Sequence, residues 1–218
     1  MNTIDPGAVI DRAFRIYREH AAPLLIAAVL VFFVTAIASY VFDSGVSVFI
    51  ALAITAIAQL FFQGVVAKLV EDVRDGTLDS SLGGLFSSVT PVIGPLIGVA
   101  LLGGVAIFFG FLLLIVPGLF LLTIWAVVAP AVVLENRGLD AFSRSQQLVK
   151  GNGWQVFTVI LIIWLLTFVV GFVAGIIGAV GGDVLRVLLS LVVTVAVAPL
   201  GALAAAVLFF QLRDGNAL

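Results

Sequence analysis

The stretch that decides the fold is "SSLGGLFSSVTPVIGPLIGVALLGGVAIFFGFLLLIVPGLFLLTIWAVVAPAVVL", Ser80–Leu134. It runs for 55 residues without Asp, Glu, Lys, Arg or His. A helix needs about 20 residues to cross the ~30 Å hydrocarbon layer of a bilayer. This run is therefore too long for one crossing and has room for two. "VPG" at Val116–Gly118 supplies the division, because proline ends a helix and glycine permits a reversing turn.

Four other uncharged runs, Ala21–Phe42, Ser44–Ala67, Gly151–Gly182 and Val187–Leu212, fit one crossing each. The chain is 63% hydrophobic and 10% charged, whereas a soluble domain carries roughly 25% charged residues. Lipid is the solvent that suits this composition. The fold class predicted is an all-α integral membrane protein: a single domain over 1–218 with six transmembrane helices near 21–42, 45–68, 92–115, 118–134, 154–180 and 184–211. About twenty residues with mixed charges precede the first apolar run, so it reads as a retained span rather than a cleaved leader.

An even number of spans puts both ends of the chain on one side, and charge says which. Arg12, Arg15, Arg18, Lys68, Arg74, Arg137, Arg144, Lys150 and Arg213 fall on the face shared by the termini, and only Arg186 falls on the other. Cationic residues accumulate on the cytoplasmic side of membrane proteins, so both termini are expected in the cytoplasm of a cell membrane. The opposite connections are short: "DSG" at Asp43–Gly45, "VPG", and "GGDVLR" at Gly181–Arg186.

Each even-numbered span leaves the membrane through a related phrase: "EDVRDGTLD" from Glu71, "LENRGLD" from Leu134 and "FFQLRDGNAL" from Phe209. Aligned on Gly76, Gly138 and Gly215, and with "TID" at Thr3–Asp5 echoing "TLD" at Thr77–Asp79, they suggest repeats over 5–76, 77–138 and 139–215. Each unit would hold a short amphipathic elbow helix and a helical hairpin. The same phrases also suit any helix that ends at an interface with Arg and a capping Gly. In the first elbow, Asp5 is a cap, Pro6 opens the helix, and Ile10, Phe14 and Tyr17 recur on one face. In the second, Asp79 caps a stripe of Leu82, Leu85, Phe86 and Val89. The third covers about Leu139–Lys150, with Phe142 and Val149 apolar, and Trp154 anchors the start of the fifth span.

Chemistry is sparse. With no Cys and the single His20, disulfides and thiolate chemistry are excluded and a histidine metal site or triad is disfavoured. No HExxH, GxSxG or phosphate-binding glycine loop occurs, so no catalytic residue and no cofactor is expected. The net charge of −2 speaks against nucleic acid. No ionisable group lies at the middle of a span, which disfavours ion-coupled transport. Gln59 and Gln63 are the most polar deep residues, and their i, i+4 spacing places both amides on one helix face. They suit interhelical hydrogen bonds, or, with Trp125, the wall of a cavity. Glu135, Arg137, Arg144 and Lys150 form the densest polar cluster, suited either to salt bridges or to a lipid headgroup. Gly171 and Gly175 form a GxxxG, with Gly178 behind it, and Ala198, Ala202 and Ala206 repeat at the same spacing; both patterns suit close packing, and the glycines also suit self-association. Pro130 and Pro199 predict kinks.

The stretch Pro117–Phe157 resembles the membrane domain of some glycerophosphoryl diester phosphodiesterases and the related YciC-type multi-span proteins. The residues that carry the resemblance are Pro117, Gly118, Trp125, Pro130, Glu135, Gly138, Ser145, Gly151 and Trp154. It covers about 40 residues and implies a bacterial or archaeal membrane module associated with lipid metabolism. The soluble domain that carries catalysis in the fused proteins has no counterpart in these residues, so no catalytic residue transfers. Two functions follow as expectations: a non-catalytic protein that binds membrane lipids or protein partners through its cytoplasmic elbows, or a transporter or channel for an apolar or amphiphilic substrate.

Overall fold

A computed structural model describes residues 4–76 and 82–214, with the side chains at 82, 181, 183, 184 and 187 outside the description. Thr3, Thr77–Asp79, Asp79 as a cap, the side chain of Leu82, and Gly215 therefore lie outside the described residues. The elements are α1 (Pro6–Glu19), α2 (Ala21–Val41), α3 (Val48–Asp75), α4 (Leu82–Val89), α5 (Ile93–Leu113), α6 (Ile115–Ile124), α7 (Val128–Leu134) and α8 (Ala141–Val149). A final helical run, Gly153–Asp214, is broken at Gly182 (φ 85°, ψ 173°). Its two arms are α9 (Gly153–Val180) and α10 (Leu188–Asp214).

The protein is an all-α membrane protein. Among the described residues six helical stretches are long and apolar enough to cross a bilayer: Ala21–Val41, Gly45–Asp75, Gly83–Leu113, Ile115–Leu134, Gly153–Val180 and Leu188–Asp214. The short helices α1 and α8 precede the first and fifth spans, and α4 lies largely within the apolar stretch Gly83–Leu113.

Packing is uneven along the membrane normal. The end of the bundle that holds Arg74, Glu135 and Asp214 is called basal below, and the opposite end distal. Buried side chains concentrate in the basal halves: Leu24, Phe32, Phe62, Val66, Leu96, Val132, Val159, Leu203, Val207 and Phe209 share one core. The distal halves of the spans are open, with Tyr40, Phe49, Phe109, Leu113, Phe172 and Val192 exposed. α3 and α10 are the central posts at the base, where Phe32 packs edge-on against Phe62 with centroids 5.4 Å apart.

Local chemistry accounts for the joints. Asp5 caps α1, its Oδ1 accepting the Gly7 N–H at 2.9 Å, and Pro6 takes the first helical position. Val9, Ala13 and Ile16 form the buried row of α1. That row lies one position before the expected Ile10–Phe14–Tyr17; Phe14 is exposed, and the small Ala13 lets the helix approach the α9–α10 arms. In α4, Leu85 and Val89 are buried as expected.

The division between spans three and four falls at Leu114, which is extended (φ −165°, ψ 154°), rather than at Val116–Gly118. Pro117 is accommodated in the first turn of α6, where its missing N–H has no intrahelical partner to lose. Gly118 serves packing and not reversal: its backbone lies against Gly110 of α5 and the Phe111 ring. Span four is interrupted at Trp125–Val127. Pro130 accounts for this, because its ring crowds the carbonyl four residues earlier, at Ala126. The turn after α7 also differs from expectation. Asn136, not Gly138, takes the left-handed conformation (φ 49°), and the Arg137 N–H closes back on the Val132 carbonyl at 3.2 Å. Gly76 is the left-handed cap of α3 (φ 70°) as expected.

Two elbows donate hydrogen bonds to carbonyls at irregular points of the even spans. Ser145 of α8, fully buried, donates to the Ile124 carbonyl at 2.8 Å, where α6 stops. Tyr17 of α1 donates to the Ala196 carbonyl at 3.0 Å, within one turn of Pro199. Burial pushes the Tyr17 phenol up from its ordinary value, which keeps it a donor.

Candidate functional site

Above the basal core the spans diverge around a cavity of about 960 Å³. That lies at the top of the ~300–1,000 Å³ range of small-molecule sites. Its walls come from α3, α5, the α6–α7 break, α8, α9 and α10. Along α9 it extends from Val159 to Gly175, about 24 Å at 1.5 Å per residue. That is longer than the roughly 15 Å of hydrocarbon in one leaflet.

Gln59, Gln63 and Trp125 all line this cavity. Gln59 and Gln63 project from α3, and Trp125 from the break that Pro130 forces. Among the described residues, neither amide nor the indole N–H has a hydrogen-bond partner in the protein. An unsatisfied amide in an apolar medium costs several kcal/mol, so these groups call for water or a ligand in the cavity. Phe142 of α8 closes the base, packed on Trp125 with ring centroids 4.6 Å apart.

The wall is otherwise small or apolar. Gly171 and Gly175 line it, and a Cβ built on either meets nothing within 4 Å. Within this chain they face open space rather than a packed helix, in contrast to the close packing their spacing suggests. Gly178 is the tight glycine of the hairpin, its Cβ position lying 2.9 Å from the Arg186 Cα. Gly104 on α5 and Trp164 and Phe168 on α9 are lining residues that are also exposed. The cavity therefore opens sideways near mid-depth.

Sequence reasoning missed Arg186, Ser190 and Thr194. They line the distal part of the same cavity, Ser190 and Thr194 from α10 and Arg186 from the helical turn that leads into it. Their i, i+4, i+8 spacing in an apolar run was the available signal.

The second cluster is a separate object at the base. Glu135 accepts from Arg137 Nε at 2.6 Å and from Arg144 Nε and a terminal guanidinium nitrogen, both at 2.8 Å. Arg137 also donates to Asp140 at 2.8 Å. Lys150 is not drawn in; it is exposed at the end of α8 and makes no ion pair among the described residues. Next to this cluster Arg74 bridges to Asp214, and the Arg74 and Arg213 guanidiniums lie 5.1 Å and 4.9 Å from the Phe210 ring. Lys68 pairs with Glu71 at 2.7 Å.

Burial pushes the Glu135 carboxyl up, but hydrogen bonds and charge from Arg144 and Arg137 outweigh it and hold the group below its ordinary value. The carboxylate is thus favoured in the folded protein, and its contribution is complete above the ordinary value of about 4.3. It is lost as pH falls through the lower folded value. Thermal midpoints of the wild type and Glu135→Gln should differ at pH 7 and converge below about pH 4. A gap that stays constant to pH 3 would show that the ion network is energetically idle.

No family model, curated protein or solved structure matches the chain.

Proposed function

We propose that this six-span membrane protein takes a membrane amphiphile into the cavity and carries it between the leaflets, with both termini in the cytoplasm. The unpartnered Gln59 and Gln63 amides at mid-depth carry the reading. They offer donors and acceptors to a polar group that has left the interface, while the apolar wall receives the tail. The sideways opening at Gly104, Trp164 and Phe168 is a route from lipid, and a length greater than one leaflet suits passage rather than simple retention. The resemblance of Pro117–Phe157 to modules associated with lipid metabolism points in the same direction.

The alternative, a headgroup cradle at the base, is less well supported. The Arg137 and Arg144 guanidiniums already face Glu135 and Asp140, which leaves Lys150 as the free cation of that group.

Replacing both Gln59 and Gln63 with Leu separates a transport role from a structural one. Removing unpartnered amides should leave the thermal midpoint unchanged or raise it. Transfer of a fluorescent phospholipid between leaflets of proteoliposomes should fall about tenfold, the equivalent of one lost hydrogen bond to a charged or polar head. Wild-type vesicles that move no lipid would overturn the proposal. So would a double variant that is destabilised yet equally active.

A further inference from the structure

Resting on the reading of the cavity as an amphiphile site, we infer that its occupant is an anionic membrane lipid whose headgroup is received by Arg186 at the distal mouth and passed inward along Ser190 and Thr194. Among the described residues, Arg186 is the one charged side chain lining the cavity. No acid among the described side chains pairs with it. In the sequence it is also the single cation outside the segments expected on the cytoplasmic side, where the other nine fall. A positive charge on that side runs against the usual bias, and a guanidinium opening onto an apolar cavity favours an anion that brings its own tail.

Arg186, in the helical turn that leads into α10, shares one helix face with Ser190 and Thr194, the three spaced over about 12 Å. Below them α10 lines the cavity with Val197, Ala198, Gly201, Ala205 and Leu208. The next polar groups are the free amides of Gln63 and Gln59 on α3, with the Trp125 indole in the same wall. The Thr194 hydroxyl donates its proton to the Ser190 carbonyl at 2.8 Å but keeps lone pairs for an incoming donor. Thr167 on α9 is in the same condition, donating to Ile163 at 2.8 Å. A phosphate with a hydroxylated substituent finds a cation first, then acceptors, then amides that both donate and accept. The exposed apolar residues Trp164 and Phe168 leave a side route through which acyl tails remain in the bilayer while the head travels.

The test uses the full chain in nanodiscs containing equal amounts of phosphatidylglycerol and phosphatidylcholine with the same acyl chains, read by native mass spectrometry of retained lipid. The wild type should retain phosphatidylglycerol over phosphatidylcholine by about tenfold, as expected for one charge-assisted contact. Arg186→Gln should abolish the preference while phosphatidylcholine retention is unchanged, and Arg186→Lys should keep most of it. A wild type that retains both lipids equally would overturn the headgroup assignment and leave the cavity reading standing. A wild type that retains neither would remove the cavity reading itself. If Arg186→Gln loses both lipids, the lysine variant decides: recovery supports a charge requirement, and failure to recover assigns Arg186 to holding the hairpin at Gly178 and overturns the inference.

Discussion

Gly118→Ala should lower the stability of the protein by about 3 kcal/mol, at the upper end of what overpacking costs. A methyl group at this position would lie 2.5 Å from Cγ and 2.6 Å from Cδ1 of Phe111. The Phe111 ring cannot yield by a small tilt, because Cγ is the atom that joins it to the backbone side. It would have to leave its rotamer or push α5 away from α6. The second choice would pull apart the close approach at Gly110, whose own Cβ position lies 3.1 Å from the Gly118 Cα. The two helices meet there backbone to backbone, as small residues allow in membranes. Gly171→Ala and Gly175→Ala provide the contrast, since neither new methyl group meets anything within 4 Å. Those changes should be neutral or stabilising by up to about 1 kcal/mol through helix propensity. Thermal midpoints in one detergent check the whole set; similar losses at 118, 171 and 175 would contradict the assignment of the last two to an open wall.

Removing the acid at the base should have the next largest effect. Glu135→Ala strips the partner from two guanidiniums at once and is expected to cost about 2 kcal/mol. Breaking a fully buried pair costs roughly 3–5 kcal/mol, and the value is reduced here because the Arg144 and Arg137 side chains are 26% and 37% exposed and partly screened. The double replacement Glu135→Leu with Arg144→Met should recover much of the loss, because apolar groups of similar size can replace an ion pair with little penalty. Chemical denaturation of the single and double variants measures this coupling. Strictly additive losses would mean that the pair does not act as a unit.

The number and position of the spans were legible because charge is excluded from hydrocarbon regardless of packing detail. Joints were less so. Pro117 and Gly118 together resemble a reversal, yet the chain turns at Leu114, since a leucine with an extended backbone needs no special residue. The left-handed site after α7 falls on Asn136, which tolerates that conformation nearly as well as the glycine two residues on. Small residues were the most ambiguous. The same four-residue spacing describes Gly171 and Gly175 facing a void and glycines packed between helices, because a missing side chain permits both. The i, i+4 placement of Gln59 and Gln63 fixed their common face but not whether a neighbouring helix would satisfy them. Trp125 reaches the same cavity only through the break induced five residues downstream. Arg186 stood out in the sequence solely as an exception in the charge count, and its place on the cavity wall depends on how the hairpin closes at Gly178 and Gly182.

The bond from Tyr17 to Ala196 joins residues 179 positions apart, and the buried row Val9–Ala13–Ile16 packs on the same late arms. During synthesis α1 therefore emerges long before the surface it will cover exists. Four spans precede the last hairpin, and the surface that covers the apolar row exists only once that hairpin is made. Assembly of this bundle thus finishes where it started, with the earliest helix acting as the closing stitch.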